Sequence, residues 1–244
     1  MNHILYDGSY TGFCAAMATA LKQKGAVEIS VPYHGNLLFH DGADEIAESG
    51  ADYEKAKRFI AMLRKELGGR AANSLQHAFC AEEEGREGVL LEALRIWFRC
   101  GKRALEARQY PAVASLQRMA GRTGREKHRY LGILRFEETG CGLLGRIRPD
   151  CDQVELLAPH FRRRYPGEAW TIYDERRCKG VSAAPGRSPE LFFGALEKST
   201  AVDGEYAALW KEYLSAIAVK ERTNSRQQNN YLPKKYRPFM PEFD

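Results

Sequence analysis

Arg118, Arg122, Arg125 and Arg129 recur at intervals of four, three and four. That spacing sets four guanidinium groups on one face of a continuous helix. Guanidinium groups grip phosphate oxygens in bidentate pairs, so such a stripe suits a polyanionic ligand. The competing arrangement is a stripe neutralised by Glu126, four residues after Arg122, and by other carboxylates. Arg135 and the tail cations Lys234 and Lys235 join the candidate set. In the tail, Lys234, Lys235 and Arg237 alternate with Tyr231, Tyr236 and Phe239, while prolines at 233, 238 and 241 hold the chain extended. Cations that track phosphates beside rings that stack on bases are the usual parts of a single-strand contact, and Tyr236 joins the candidate nucleic-acid-binding residues. A tail packed on the domain, its rings in a groove and its lysines reaching outward, is the alternative.

A second group of residues has the types a metal-dependent nuclease or a general acid/base site would use: Glu126, His128 and Asp150. Their spacing is a weak signal. Glu126 and His128 lie two apart, which brings them to one side only in a strand. Asp152, just before an apolar-periodic run, fits a helix cap better than a metal ligand. His160, in an apolar helix, fits a partly buried histidine better than a catalyst. His34 and His40, with Asp41 and Asp44 close by, have the right atoms for a metal but sit in a loop-like stretch. The six cysteines are scattered singly with no C-x-x-C pair, so reduced thiols are expected and no metal or cofactor is.

The pentapeptide 121-GRTGR-125 reads like the arginine-finger motif of helicases. Such fingers act only on a nucleotide held by a G-x-x-x-x-G-K-[ST] loop and an acidic magnesium motif. Neither occurs in the 244 residues, so a helicase motor is excluded.

The elements that must position these residues follow from periodicity. An apolar run, 3-HILY-6, precedes DGS and a helical TGFCAAMATALKQK, giving strand, turn and helix with Ser9 or Thr11 as cap. A second strand is expected over 27-VEISVP-32 and a short third over 37-LLFH-40. DYEKAKRFIAMLRKEL, AANSLQHAFCAEEEG and GREGVLLEALRIWFRCGKRALEA each carry apolar residues at three and four spacing, and Pro111 opens a further helix. The runs 130-YLGILRF-136 and 143-LLGRIR-148, joined by EETGCG, predict an antiparallel hairpin. Then come a helix over 153-QVELLAPHFRRR-164, strands over 169-AWTIYD-174 and 190-ELFF-193, and a helix over 203-DGEYAALWKEYLSAIA-218. The expected class is α+β: an α/β-like N-terminal strand–helix unit, a helical middle at 51–129, and a small antiparallel sheet with helices at 130–218. An extended tail, 219–244, completes a single compact domain, 1–244.

Composition agrees with a globular chain, at 44% hydrophobic and 28% charged residues. No apolar run approaches the ~18 residues of a membrane span, and the N-terminus lacks a signal-peptide pattern, so a soluble cytoplasmic protein is expected. The net charge of +5 is unevenly spread. Residues 95–135 hold eleven Lys and Arg against Glu106 and Glu126, whereas residues 1–60 hold eight acids against five bases. That asymmetry favours a polyanionic partner on one side.

Four separated segments, 6-YDGSYTGF-13, 125-REKHRYLGILRF-136, 147-IRPDCDQVELLAPHFRRRYP-166 and 222-RTNSRQQNNYLPKKYRPFMPE-242, together resemble a bacterial family of DNA-metabolism or DNA-repair proteins, a domain of unknown function. The resemblance is carried by Tyr6, Asp7, Gly8, Ser9, Gly12 and Phe13 at the start. It continues through Glu126, His128, Arg135, Phe136, Pro149, Asp150, Asp152, His160 and Phe161. In the tail it rests on Arg222, Asn224, Gln227, Pro233, Lys234, Lys235, Tyr236, Pro241 and Glu242. It departs at 178-CKGVSAA-184, where the family often has a Trp-Asp element, and at Arg237, where it has tryptophan. Members are encoded beside a radical SAM protein of DNA modification or repair, and some are fused to a uracil-DNA glycosylase. No glycosylase segment follows in this sequence, so a stand-alone form is expected and no glycosylase active site is assigned to it.

The expected function is therefore a DNA-binding accessory protein in repair or modification, working with a radical SAM enzyme. A metal-dependent nuclease or hydrolase on damaged DNA, using Glu126, His128 and Asp150, and a protein–protein scaffold without DNA binding are the alternatives.

Overall fold

The computed structural model describes residues 2–23, 25–31, 46–49, 52–196 and 224–243, together with 209, 212, 213, 216 and 217. The chain is α+β and divides into two compact units, Met1–Gly124 and Arg125–Asp244.

In the first unit β1 (Asn2–Tyr6) is central in a parallel sheet of order β2-β1-β3, with β2 at Val27–Ser30 and β3 at Ile46–Ser49. The DGS turn ends β1 because Gly8 takes φ +80°, a conformation open to glycine. Asp7 Oδ1 accepts from the Ser9 N–H (3.0 Å) and hydroxyl (2.7 Å), and Ser9 Oγ accepts from the Gly12 N–H (2.9 Å). Ser9, of the two predicted caps, thus starts α1 (Tyr10–Ala20). The three predicted helices appear as α2 (Tyr53–Leu67), α3 (Gly69–Phe79) and α4 (Arg86–Cys100). Each turns its three-and-four apolar residues inward; in α2 these are Ala56, Phe59, Leu63 and Leu67. Phe13 and Phe79 meet at 4.7 Å between ring centroids, and each such buried side chain contributes about 1.5–3 kcal/mol. The predicted strand at 37–40, and the His34, His40, Asp41 and Asp44 group, lie outside the described residues. So does most of the predicted helix at 203–218.

Helix α5 (Pro111–Ile133) carries the arginine stripe and includes the boundary between the units. It passes unbroken through Gly121 and Gly124. It also absorbs most of the stretch predicted as the first hairpin strand: residues 130–133 are helical and the strand β4 is Glu137–Thr139. Period two misled there because Tyr130, Ile133 and Leu134 also satisfy helical spacing, and the Leu134 N–H still bonds to the Tyr130 carbonyl.

The second unit has a five-stranded sheet of order β4-β5-β6-β7-β8, with β5 Gly142–Ile147, β6 Trp170–Asp174, β7 Lys179–Ala183 and β8 Glu190–Phe193. Helix α6 (Val154–Arg164) connects β5 to β6, which pair in parallel; the other pairings are antiparallel, so the sheet is mixed rather than wholly antiparallel. The unpredicted strand β7 lies within 178-CKGVSAA-184. Its core packs Tyr130, Ile147, Val154, Leu157, Phe161, Trp170, Ile172, Val181 and Tyr236. Helix α7 (Ser225–Tyr231) precedes a tail that brings Tyr236 and Met240 into the interior. Among the described residues no helix is long and apolar enough to cross a membrane.

Candidate nucleic-acid interface

Along α5, Val113, Leu116, Met119, Thr123, Glu126 and Tyr130 form one buried register at three and four spacing. The arginine stripe sits one residue earlier at each turn, and all four of its members are exposed. The two ends of the stripe are used differently. Arg118 makes a bidentate pair with Glu83, at 2.8 and 2.7 Å. Arg122 adds a bond to the same carboxylate at 3.1 Å and one to the Ala81 carbonyl at 3.3 Å. The hydrogen bond from Arg118 holds the Glu83 carboxyl below its ordinary value, against the effect of partial burial. Neutralisation of this half therefore comes from Glu83 rather than from Glu126. Sequence reasoning passed over Glu83 because it is far away in the chain, although the acidic run 82-EEE-84 was the available signal.

Glu126 is turned inward and is 5% exposed. Its Oε1 accepts from the Asp150 N–H (2.9 Å) and the Tyr236 hydroxyl (3.1 Å). Its Oε2 accepts from the Cys151 N–H (2.8 Å) and from Gln153 Nε2 (3.3 Å). The carboxylate thus grips the turn 149–152 from one side. Arg177 holds the other side, donating to the carbonyls of Pro149 (3.2 Å) and Asp150 (3.0 Å) while bound to the buried Asp174 at 2.7 Å. Asp152 contributes a cap-like bond from the Val154 N–H at 3.3 Å and an ion pair with Lys179 at 2.6 Å; Lys179 also meets Glu155 at 2.9 Å. Backbone and side chains together fix this turn, leaving the Asp150 carboxylate outside, paired with Lys235.

Beside this turn, side chains from three separate segments line one small cleft: Arg135 after α5, Arg146 and Arg148 at β5, and Lys235 in the tail, with Tyr130 and Phe239. Arg135 also donates to the Ile133 carbonyl at 3.2 Å, closing the C-terminus of α5. Arg146 approaches Glu137 (3.6 Å) and Glu175 (4.0 Å), and Arg148 approaches Glu175 at 3.5 Å. Arg129 stands 5.8 Å from the Tyr236 ring centroid. Burial raises the Tyr236 hydroxyl above the ordinary tyrosine value, with Arg129 opposing it. Tyr236 itself is 6% exposed and packs edge-on against Tyr130. Its ring belongs to the core and is not presented for base stacking; Tyr231 is the exposed ring of the tail.

Arg129, Arg135, Lys235, Tyr236, Glu126 and Asp150 are thus neighbours in the second unit. His128 is exposed on α5, and its two-residue offset from Glu126 turns it to another side of the helix. His160 is partly buried; burial first, then Arg163, Arg164 and Lys127, lower its pKa and favour the neutral ring. Among the described residues no group of three or more His, Cys, Asp or Glu is placed to hold a metal ion.

The fold and this surface define an α+β chain with a rigid turn beside a cationic cleft. A family model described as a domain of unknown function, DUF4130, matches residues 84–242, and the chain belongs to that family. The match takes in α4, α5 and the second unit through residue 242 of the tail, and leaves the opening 6–13 outside. No curated protein and no solved structure matches the chain.

Proposed function

We propose that the chain is a DNA-binding accessory protein of repair or modification that works with a radical SAM enzyme. The observation that supports DNA binding is the convergence of Arg135, Arg146, Arg148 and Lys235, from three segments, on one cleft beside a turn that cannot easily move. The carboxylates that meet these cations sit in partly exposed pairs, with Asp150 and Lys235 each about half exposed. Such pairs are worth roughly 0–1 kcal/mol, so a phosphate oxyanion can take the place of a carboxylate at little cost. Arg125, Arg129 and Lys234 extend the cationic surface of the same unit. The enzyme reading draws less support, because both oxygens of Glu126 are already occupied by backbone and side-chain donors. The repair setting and the radical SAM partner rest on the family resemblance.

Fluorescence anisotropy with labelled single- and double-stranded DNA tests the reading. Binding should weaken steeply with salt, log K falling by about 0.7–0.9 per log unit of salt for each phosphate neutralised. Arg146→Glu with Arg148→Glu should lower affinity by an order of magnitude or more. Absence of binding at low salt, or unchanged binding by that double variant, defeats it. Co-purification with the radical SAM enzyme tests the partner separately.

A further inference from the structure

A second concave surface lies in the first unit. The end of α1, one face of α2 and one face of α4 line an open groove of about 880 Å³, within the ~300–1,000 Å³ usual for small-molecule sites. Its pattern is written in two helices. On α2, Lys55, Arg58, Phe59 and Met62 share a face, and on α4, Glu92, Arg95, Phe98 and Arg99 do. Ala18, Leu21, Phe59, Met62 and Phe98 supply an apolar floor.

The rim is cationic: Lys22, Lys55, Arg58, Arg95 and Arg99 stand against Asp52 and Glu92. Both carboxylates already have partners. Asp52 caps α2 by accepting from the Lys55 N–H at 2.8 Å, and Glu92 lies 4.0 Å from Arg95. Arg95 is further tied to the Gly25 carbonyl at 3.1 Å. Arg58 is steered by the bond from its Nε to the Glu54 carbonyl at 3.2 Å. Lys22, Arg58 and Arg99 are exposed, so their charged ends can reach a ligand. A cationic rim over an apolar floor is the arrangement that complements an anionic ligand with an apolar body.

We infer that this groove binds an organic anion. Its apolar body lies on Leu21, Met62 and Phe98, and its phosphate or carboxylate head meets Lys55, Arg58 and Arg99. The inference does not rest on the DNA reading, since the groove belongs to the first unit and the cleft to the second. Aromatic and aliphatic bodies share this chemistry and are separated by experiment.

The test titrates the full chain with the anionic fluorophore anilinonaphthalene sulfonate, then competes it with AMP in one arm and dodecyl phosphate in the other. Saturable binding should appear, and Arg58→Glu with Arg99→Glu should weaken it by at least about tenfold, or ~1.4 kcal/mol. Circular dichroism would check that this variant keeps its fold, and the conservative Arg58→Lys with Arg99→Lys pair should retain most of the affinity. Displacement by AMP supports an aromatic body and displacement by dodecyl phosphate an aliphatic one. Failure of both to displace, or equal binding by the charge-reversed variant, overturns the inference.

Discussion

The interior of the first unit is made from Phe13, Met17, Leu63, Leu75, Leu90, Leu94 and Trp97, all fully buried, whereas the second unit places Glu126, Gln153, Asp174 and Lys179 among its apolar residues. An apolar interior is held by non-directional burial and tolerates small adjustments. Buried hydrogen-bonded charges tolerate few, because each donor left without its partner is expensive in a low dielectric. The second unit therefore accepts the desolvation of carboxylates and obtains one fixed shape for residues 149–152. It also acquires a surface charge: Glu126 and Asp174 point inward to amides and to Arg177, while Arg129, Arg146, Arg148 and Lys235 remain near the surface. In the first unit Glu83 remains near the surface and takes up Arg118 and Arg122 itself.

The largest test of this contrast is Glu126→Ala. It leaves two backbone N–H groups, Gln153 Nε2 and the Tyr236 hydroxyl without their acceptor, and should destabilise the second unit by about 3–5 kcal/mol. Glu126→Gln should cost nearly as much, because an amide NH₂ would face donors. In the first unit Leu75→Ala should cost about 2–5 kcal/mol through its cavity. Thiol labelling during urea denaturation separates the units. Buried Cys151 should become reactive earlier in the Glu126 variants while buried Cys14, whose thiol is pushed by burial up to about 12, stays protected. Equal exposure of both cysteines in Glu126→Ala would mean that the polar network does not act on its own unit.

A smaller effect is expected at Lys179. Burial pulls its ammonium pKa down, but Asp152 and Glu155 more than offset this and leave it above the ordinary lysine value. A raised lysine pKa gives stability that is complete below the unfolded value, ~10.4, and is lost as pH rises through the folded value. Lys179→Met should cost roughly 1–3 kcal/mol at neutral pH, in keeping with hydrogen bonds to charged groups. It should also flatten the alkaline limb of the stability–pH curve. An alkaline limb identical to the wild type would remove Lys179 from the network.

Much of the first unit was legible from three-and-four spacing, since α1 to α4 bury what their periodicity selects. Glu126 shows why the second was harder. It lies in register with Leu116, Met119, Thr123 and Tyr130, so the helix alone places it inward, yet four neighbouring arginines made an exposed ion pair the natural expectation. Its true partners are the amides of residues 150 and 151, which no side-chain pattern announces. Strand β7 was missed because lysine, glycine and serine interrupt its apolar residues. Lys179 is nevertheless buried by two carboxylates that lie more than twenty residues away, and Gly180 lies under the ring of Phe192. The Lys235 contact with Asp150 likewise joins segments that are distant in the chain.

The smallest expected effect is at Glu83, whose pairs, like those of Asp150 and Glu175 in the second unit, are partly exposed. Its carboxyl is held below the usual carboxylate range by Arg118, so its contribution is present above the unfolded value, ~4.3, and lost as pH falls through the folded one. Arg118 and Arg122 are largely exposed, which limits the effect to under ~1 kcal/mol. The stability curves of wild type and Glu83→Gln should thus differ slightly at neutral pH and converge in acid. The same substitution removes the shared carboxylate partner of Arg118 and Arg122 at the start of the α5 stripe, while Arg122 keeps its bond to the Ala81 carbonyl. If that half of the stripe also meets phosphate, DNA affinity rises a few-fold, with a steeper salt dependence; we expect this rise, because Arg118 and Arg122 continue the line of Arg125 and Arg129. Unchanged affinity would confine the contact to the second unit and make the Glu83 pairs a purely structural neutralisation.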